Sequence, residues 1–260
     1  MVNVAIFDYG AGNIFSLKNS LEQAGASVDV ITSFDKSNVY SGLLLPGVGN
    51  FDPAIKCINE KSKTKFHDFV KDDTPVLGIC LGMEMFFEKS EEGVEKGFNV
   101  IDGEIVVLPS TMKVPHMGWN NLEIKKPGII LDGVNDGSWV YFVHSYRAKP
   151  KFDDVITAES DYGVKVPAVV EKNNFFGTQF HPEKSGVILD GVDDGSWVYF
   201  VHSYRAKPKF DDVITAESDY GVKVPAVVEK NNFFGTQFHP EKSGDVGKIM
   251  IQNFLSVCKK

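Results

Sequence analysis

A chain of 260 residues, 43% hydrophobic and 24% charged, can bury a sizeable core and suits one or two soluble globular domains. A net charge of −8 with no basic block argues against a nucleic-acid or membrane-surface partner, and no apolar run approaches the roughly 20 residues of a membrane span. Cys57, Cys80 and Cys258 are widely spaced and lack metal-ligand spacing, which fits a reducing cytoplasm and not a disulfide framework. Cys57 and Cys258 are expected as buried or half-buried helix residues. The N-terminus leads straight into a strand-like run, so no signal peptide is expected.

In chain order, residues 2–7 read as a first strand. Asn13 is placed to cap a helix over Phe15, Leu17, Leu21 and Ala24, with Gly25 as its stop. Gly10 and Gly12 open like a dinucleotide fingerprint, but Phe15 stands where the third glycine belongs, which argues against nucleotide binding. Residues 28–31 and 42–45 are further strands, and helical spacing runs from Pro53 to about Val70 in two pieces. Residues 76–79 form a short apolar strand that stops at Cys80 and gives way to helical spacing over Leu81, Met85 and Phe86. Strands alternating with helices predict a parallel α/β sheet with sites at the C-terminal strand ends. Beyond Phe98, short β-rich runs at 105–108, 139–143, 155–158, 168–170 and 175–180 would extend or flank that sheet. Residues 245–258 read as a terminal helix capped by Asp245, with Ile249, Ile251, Phe254, Leu255 and Cys258 on its apolar face.

Residues 129–186 recur as 187–244, offset by 58, with differences only at Ile129/Val187 and Asn135/Asp193. Solenoid repeats are shorter, diverged and more numerous. The pair therefore reads as a recent tandem duplication or an error of sequence assembly, inside one domain spanning 1–260 with one copy surplus.

Gly78-Ile79-Cys80-Leu81-Gly82 at a strand-to-helix turn is the thiol form of a nucleophile elbow, where only hydrogen fits beside the nucleophile. A helix N-terminus favours a thiolate at Cys80; the plainer alternative is a buried cysteine closing a strand. A nucleophilic cysteine needs a base and a group to orient it. His181-Pro182-Glu183 supplies both, and so does His239-Pro240-Glu241. Anchoring by the 243–245 helix start favours His239 and Glu241 over His181 and Glu183. His144 and His202 are expected to be structural or substrate-lining, and His67 a surface residue. Gly47, Val48 and Gly49, after a neighbouring strand, are either oxyanion donors or a plain turn.

Together these residues resemble the class I glutamine amidotransferases. Asp8–Asn13, Leu45–Phe51, Gly78–Met83, Pro115–Asn120, Tyr141–Tyr146 and Gln179–Ser185 are similar to runs in the glutaminase subunits of imidazole glycerol phosphate synthases, over all but one surplus copy. The resemblance implies a flavodoxin-like, mostly parallel sheet flanked by helices with a β-rich C-terminal part. It implies that Cys80 attacks the side-chain amide of glutamine, that the histidine is base and then acid, and that the glutamate orients it. It implies an oxyanion hole at Gly47, Val48, Gly49 and Leu81, and a substrate contact at Glu84, where relatives often carry Gln. It implies a heterodimer in the cytoplasm with a cyclase subunit, facing Pro115, His116, Met117, Gly118, Trp119 and Asn120, in histidine biosynthesis, and neither metal nor organic cofactor. Competing readings are a glutaminase serving a pyridoxal phosphate or amino-sugar synthase, a cysteine hydrolase or protease-like relative on a similar sheet, and a catalytically dead cyclase-binding chain.

Overall fold

The computed structural model describes residues 2–10, 14–34, 40–58, 66, 74–182, 192, 195–209, 213–230, 233–244 and 246–251. It divides into two compact units, Met1–Glu183 and Lys184–Lys260. Among the described residues no helix is long and apolar enough to cross a membrane.

The first unit starts with β1 (Asn3–Phe7), α1 (Ile14–Gln23), β2 (Ser27–Ile31), β3 (Gly42–Leu45), α2 (Phe51–Cys57), β4 (Val76–Ile79) and the single-turn α3 (Leu81–Glu84). It continues with β5 (Lys89–Ser90), β6 (Gly103–Val107), β7 (His116–Asn121), β8 (Glu123–Ile124), β9 (Trp139–His144), β10 (Tyr146–Pro150), β11 (Ile156–Asp161), β12 (Lys165–Lys172) and β13 (Phe175–Thr178). One sheet runs β2-β1-β3-β4-β13-β12-β11-β8. It is parallel from β2 to β13 and antiparallel from β13 to β8. The β-rich half of the chain thus extends the parallel sheet, as its texture predicts.

Side-chain alternation explains the layers. Ala5, Phe7, Leu43 and Leu45 face a cluster rich in phenylalanine, whereas Val4, Ile6 and Leu44 face α1 through Leu17. Ala5, Ile6 and Phe7 are each 0% exposed, so both faces of β1 are covered, as expected of a central parallel strand. At α1, Gly25 (φ +90°) follows the helix and suits its stop, since this φ disfavours side chains; Asn13 lies outside the described residues.

Several expectations change. The helical stretch from Pro53 begins earlier, at Phe51, and α2 ends at Cys57. Phe66 is helical and buried, while 59–65 and 67–73, including His67, lie outside the described residues. Cys57 is exposed, because α2 turns Phe51, Ala54 and Ile55 inward and leaves position 57 on the outer face. In the second unit residues 246–251 are helical, with Met250 buried and Ile251 40% exposed; Asp245, Phe254, Leu255 and Cys258 lie outside the described residues.

The two copies of the duplicated segment pair differently. The strand paired with β4 is β13 of the first copy, with Gly177 opposite Gly78 and Thr178 opposite Ile79. The second copy forms its own sheet from β14 (Ile214–Asp219), β15 (Lys223–Lys230) and β16 (Phe233–Thr236). Among the described strands it is the first copy, and not the second, that continues the sheet of β4. The first copy emerges directly after β6, β7 and β8, and its strands β10, β9 and β11 pair with them. Those pairings favour the first copy, as does its earlier emergence during synthesis.

Gly82 sets a stability limit. A Cβ there would lie 1.8 Å from the Leu45 carbonyl oxygen, which is backbone and cannot step aside. Gly82→Ala is expected to cost about 2–3 kcal/mol, read as a lower denaturant midpoint at unchanged slope; a midpoint equal to that of the parent would contradict this packing.

Candidate active site

Three neighbouring parallel strands, β3, β4 and β13, carry the expected site residues at the same end. Leu45 and Gly177 both register against Gly78, so the segments that follow them, residues 46–50, Cys80 and residues 179–181, leave the sheet together. Cys80 has φ 52° and ψ −108°, a conformation costing a non-glycine residue about 1–3 kcal/mol. The turn is closed by the Cys80 N–H donating to the Thr178 carbonyl at 2.6 Å, across to β13. Close approach does the rest: a Cβ on Gly78 would lie 2.6 Å from the Gly82 backbone, and one on Gly47 would lie 2.4 Å from Leu81 Cβ.

This turn opens on a cavity of about 350 Å³. Of the predicted residues, Val48, Gly49, Cys80, Leu81, Glu84 and Pro115 line it, while Gly47 packs behind Leu81. His144, expected to be structural or substrate-lining, is on the wall with Val143, Ser145 and Tyr146. The Cys80 thiol faces the Val143 carbonyl at 3.8 Å, and the Gln179 amide Nε2 lies 3.7 Å from Sγ.

His181 is 1% exposed and is not among the residues lining the cavity. Its N–H donates to the Tyr141 carbonyl at 2.9 Å, holding the end of the β13 segment to β9. Glu183 lies outside the described residues. In the second unit the His239 N–H donates to the Tyr199 carbonyl at 2.9 Å, and Ser243 Oγ donates to the His239 carbonyl at 2.7 Å. The histidine N–H bond to a tyrosine carbonyl is thus made in both copies, but among the described strands only the first copy continues the β4 sheet. The Glu241 side chain lies outside the described residues.

Two carboxyl groups line the cavity, and burial raises both. Burial pushes the Glu84 carboxyl up to about 8, against a hydrogen bond from Gln179 Nε2 at 3.3 Å and with help from the nearby charge of Glu92. Burial and the charge of Asp52 also raise Glu92, against the Phe51 N–H that it accepts at 2.8 Å. Tyr9 is held well above its ordinary value by burial and by Cys80, Glu84 and Asp8. Among the described residues no group of three His, Cys, Asp or Glu side chains could hold a metal.

Of the six residues expected to face a partner, Met117 is 42% exposed and Trp119 is half-buried, edge-on to Tyr141 at 5.8 Å. His116 instead turns inward and is 3% exposed, because alternation along β7 sends it to the opposite side from Met117. Glu92 and Gln179 were not anticipated. Glu92 sits in a polar turn with no periodic signal, and Gln179 is recognisable only as a neighbour of His181.

Comparison with known proteins fits this geometry. The family model "Glutamine amidotransferase class-I" matches residues 5–191 and again 185–258. The imidazole glycerol phosphate synthase subunit HisH of Geobacillus thermodenitrificans (strain NG80-2) is 45% identical over 198 residues, covering 72% of this chain and 92% of that protein. The protein of the same name from Archaeoglobus fulgidus is 44% identical over 188 residues, covering 71% and 92%. Among solved structures, a glutamine amidotransferase from Thermotoga maritima shares the fold with a TM-score of 0.54 at 16% identity, over 70% of this chain and 76% of that one. Another glutamine amidotransferase crystal structure does so with a TM-score of 0.55 at 15% identity, over 69% and 90%. The chain belongs to the class I glutamine amidotransferase family, as a relative of the HisH subunits of imidazole glycerol phosphate synthase.

Proposed function

We propose that the first unit hydrolyses glutamine at Cys80 and delivers the ammonia to a cyclase subunit that makes imidazole glycerol phosphate and an aminoimidazole carboxamide ribotide. The observation that carries this is the convergence of the β3, β4 and β13 ends around Cys80 at the mouth of one cavity. Cys80 Sγ bonds to the amide carbon of the glutamine side chain, and the carbonyl oxygen becomes an oxyanion. The N–H groups of Leu81 and of the Gly47-Val48-Gly49 loop are suited to hold that charge. Collapse breaks the C–N bond, and the base returns its proton to the leaving ammonia. Water then hydrolyses the glutamyl thioester, freeing glutamate and the thiol. His181 is the base and Glu183 its orienting carboxylate in this proposal, because their copy supplies β13. The Glu92 carboxyl and the carbonyl oxygen of the neutral Glu84 carboxyl suit the α-ammonium group of the substrate as acceptors. Met117 and Trp119 on β7 are the exposed and half-exposed side chains offered to the cyclase, and resting activity is low until it docks, because the donor loop is glycine-rich.

Cys80→Ala should abolish ammonia release from glutamine while leaving the denaturant midpoint within about 1 kcal/mol. His181→Ala should lower the rate about a thousandfold or more, whereas His239→Ala should stay within twofold, about the noise of the assay. The rates are measured with and without added cyclase. Parental activity in Cys80→Ala sinks the nucleophile, and a loss confined to His239→Ala moves the site to the second copy.

Glu84 gives a pH test. Its ordinary carboxyl value is 4.5 and the fold raises it to about 8. Below pH 4.5 the group is protonated folded or unfolded and has no effect on stability. As pH climbs to about 8 the unfolded chain releases the proton that the fold retains, so stability falls through this window and the loss is complete above it. Glu84→Gln, which cannot ionise, should be more stable than the parent at high pH by up to about 5 kcal/mol, with the difference vanishing in acid. A pH-independent difference in urea denaturation would rule out a neutral buried Glu84.

A further inference from the structure

His116 and His144 face each other as a register pair of β7 and β9. His116 Nδ1 lies 2.9 Å from His144 Nε2, and His144 Nδ1 lies 2.7 Å from the Tyr146 carbonyl oxygen. Both rings are buried, and His116 is stacked between Phe142 and Tyr162, with ring centroids 4.7 Å and 3.8 Å away. These contacts dictate where the hydrogens sit. A carbonyl oxygen only accepts, so His144 Nδ1 must donate. Burial keeps both rings neutral, pushing His144 down to about 3 and His116 to about 4, so His144 Nε2 keeps its lone pair and accepts. His116 Nδ1 then has to be the donor. The result is a one-way ladder, from His116 to His144 to Tyr146.

The ladder ends on the cavity wall. Val143, His144, Ser145 and Tyr146 line the cavity, and the Val143 carbonyl is the group 3.8 Å from Cys80 Sγ. At the other end Pro115, the residue before His116, lines the same cavity. The remainder of β7 carries Met117 and Trp119. We propose that the His116–His144 hydrogen bond is a positioning device, holding the 143–146 wall against Cys80 and tying it to β7, so that a displacement of β7 reaches the wall. Neither histidine touches the reacting atoms in this role. The inference rests on the reading above, in which the cavity takes glutamine and β7 faces the cyclase.

Two measurements on the full chain test it. Nitrogen-15 NMR of the imidazoles at neutral pH should show both His116 and His144 as the Nδ1–H tautomer, the minor form of a neutral imidazole in water; Nε2–H signals for either would overturn the ladder without any variant being made. The second measurement separates the hydrogen bond from the packing. His116→Phe keeps a ring between Phe142 and Tyr162 but cannot donate. His116→Asn loses the ring but offers an amide N–H near the Nδ1 position. Cyclase-stimulated kcat for glutamine should fall about tenfold or more in His116→Phe with KM changed less than about twofold, and the Asn variant should recover most of it. An Asn variant no better than the Phe variant would mean that packing alone matters, and the proposal would fall. A parent chain that released no ammonia from glutamine would instead defeat the glutaminase reading, while the ring-nitrogen signals still decide the ladder.

Discussion

Everything near the cavity depends on one backbone constraint, the turn at Cys80. A side chain at φ 52° is held there only because the surrounding chain comes closer than side chains permit. Gly78, Gly82 and Gly47 remove the three Cβ atoms that would collide, and α3 drops onto the ends of β3 and β4. Gly177 extends the same contact into β13, since a Cβ there would lie 2.4 Å from Met83 Cγ. The strain at Cys80 is thus distributed over three neighbouring strands, tied together by the Cys80 N–H bond to Thr178. A side chain on such a turn cannot swing away from the cavity without breaking the Cys80 N–H bond to β13.

The electrostatics follow from the same burial. Glu84 and Cys80 line one cavity, and an ionised Glu84 would repel a thiolate there; desolvation keeps Glu84 protonated. A neutral carboxyl presents one donor and one acceptor, as an amide does. In hydrogen-bonding terms a neutral Glu84 is therefore closer to a glutamine than its formal charge suggests. Gln179, itself 0% exposed, reaches both Glu84 and Cys80 through Nε2 and so couples the two groups.

Elements with their own signal were legible in the sequence. β3 matches the expected run because Gly42–Leu45 is apolar throughout and buried throughout. The elbow was legible too, since glycines on both sides of a cysteine have few other uses. By contrast, β7 (His-Met-Gly-Trp-Asn-Asn) and β10 (Tyr-Arg-Ala-Lys-Pro) have weak strand patterns, and each exists because β9 or β6 lies beside it. Glu92 and Gln179 were invisible for a related reason: their roles come from burial imposed by distant segments. His116 was expected at a partner surface, and the pleat of β7, a strand the sequence did not reveal, turns it inward.

The duplication separates local from distant causes within one molecule. Both copies form the same three strands with the same registers and the same irregularity after the first residue pair, Ile156↔Val170 and Ile214↔Val228. Those hairpins contain their own partners, so sequence alone suffices. Trp139–His144 is a strand facing β7, whereas residues 197–202, identical in sequence, belong to no strand and leave Trp197 93% exposed. Burial diverges likewise: Thr157, Ala158 and Ser160 are buried in β11, while the equivalent positions in β14 are half-exposed. Gly177 is required because Met83 leaves no room, but at Gly235 the nearest atom to a Cβ is 3.1 Å away, on Val228 of its own hairpin. A residue's necessity is therefore set by its seat and not by its sequence. The 58 residues suit either position alike, and what distinguishes the first copy is the set of strands that precede it and are ready to pair.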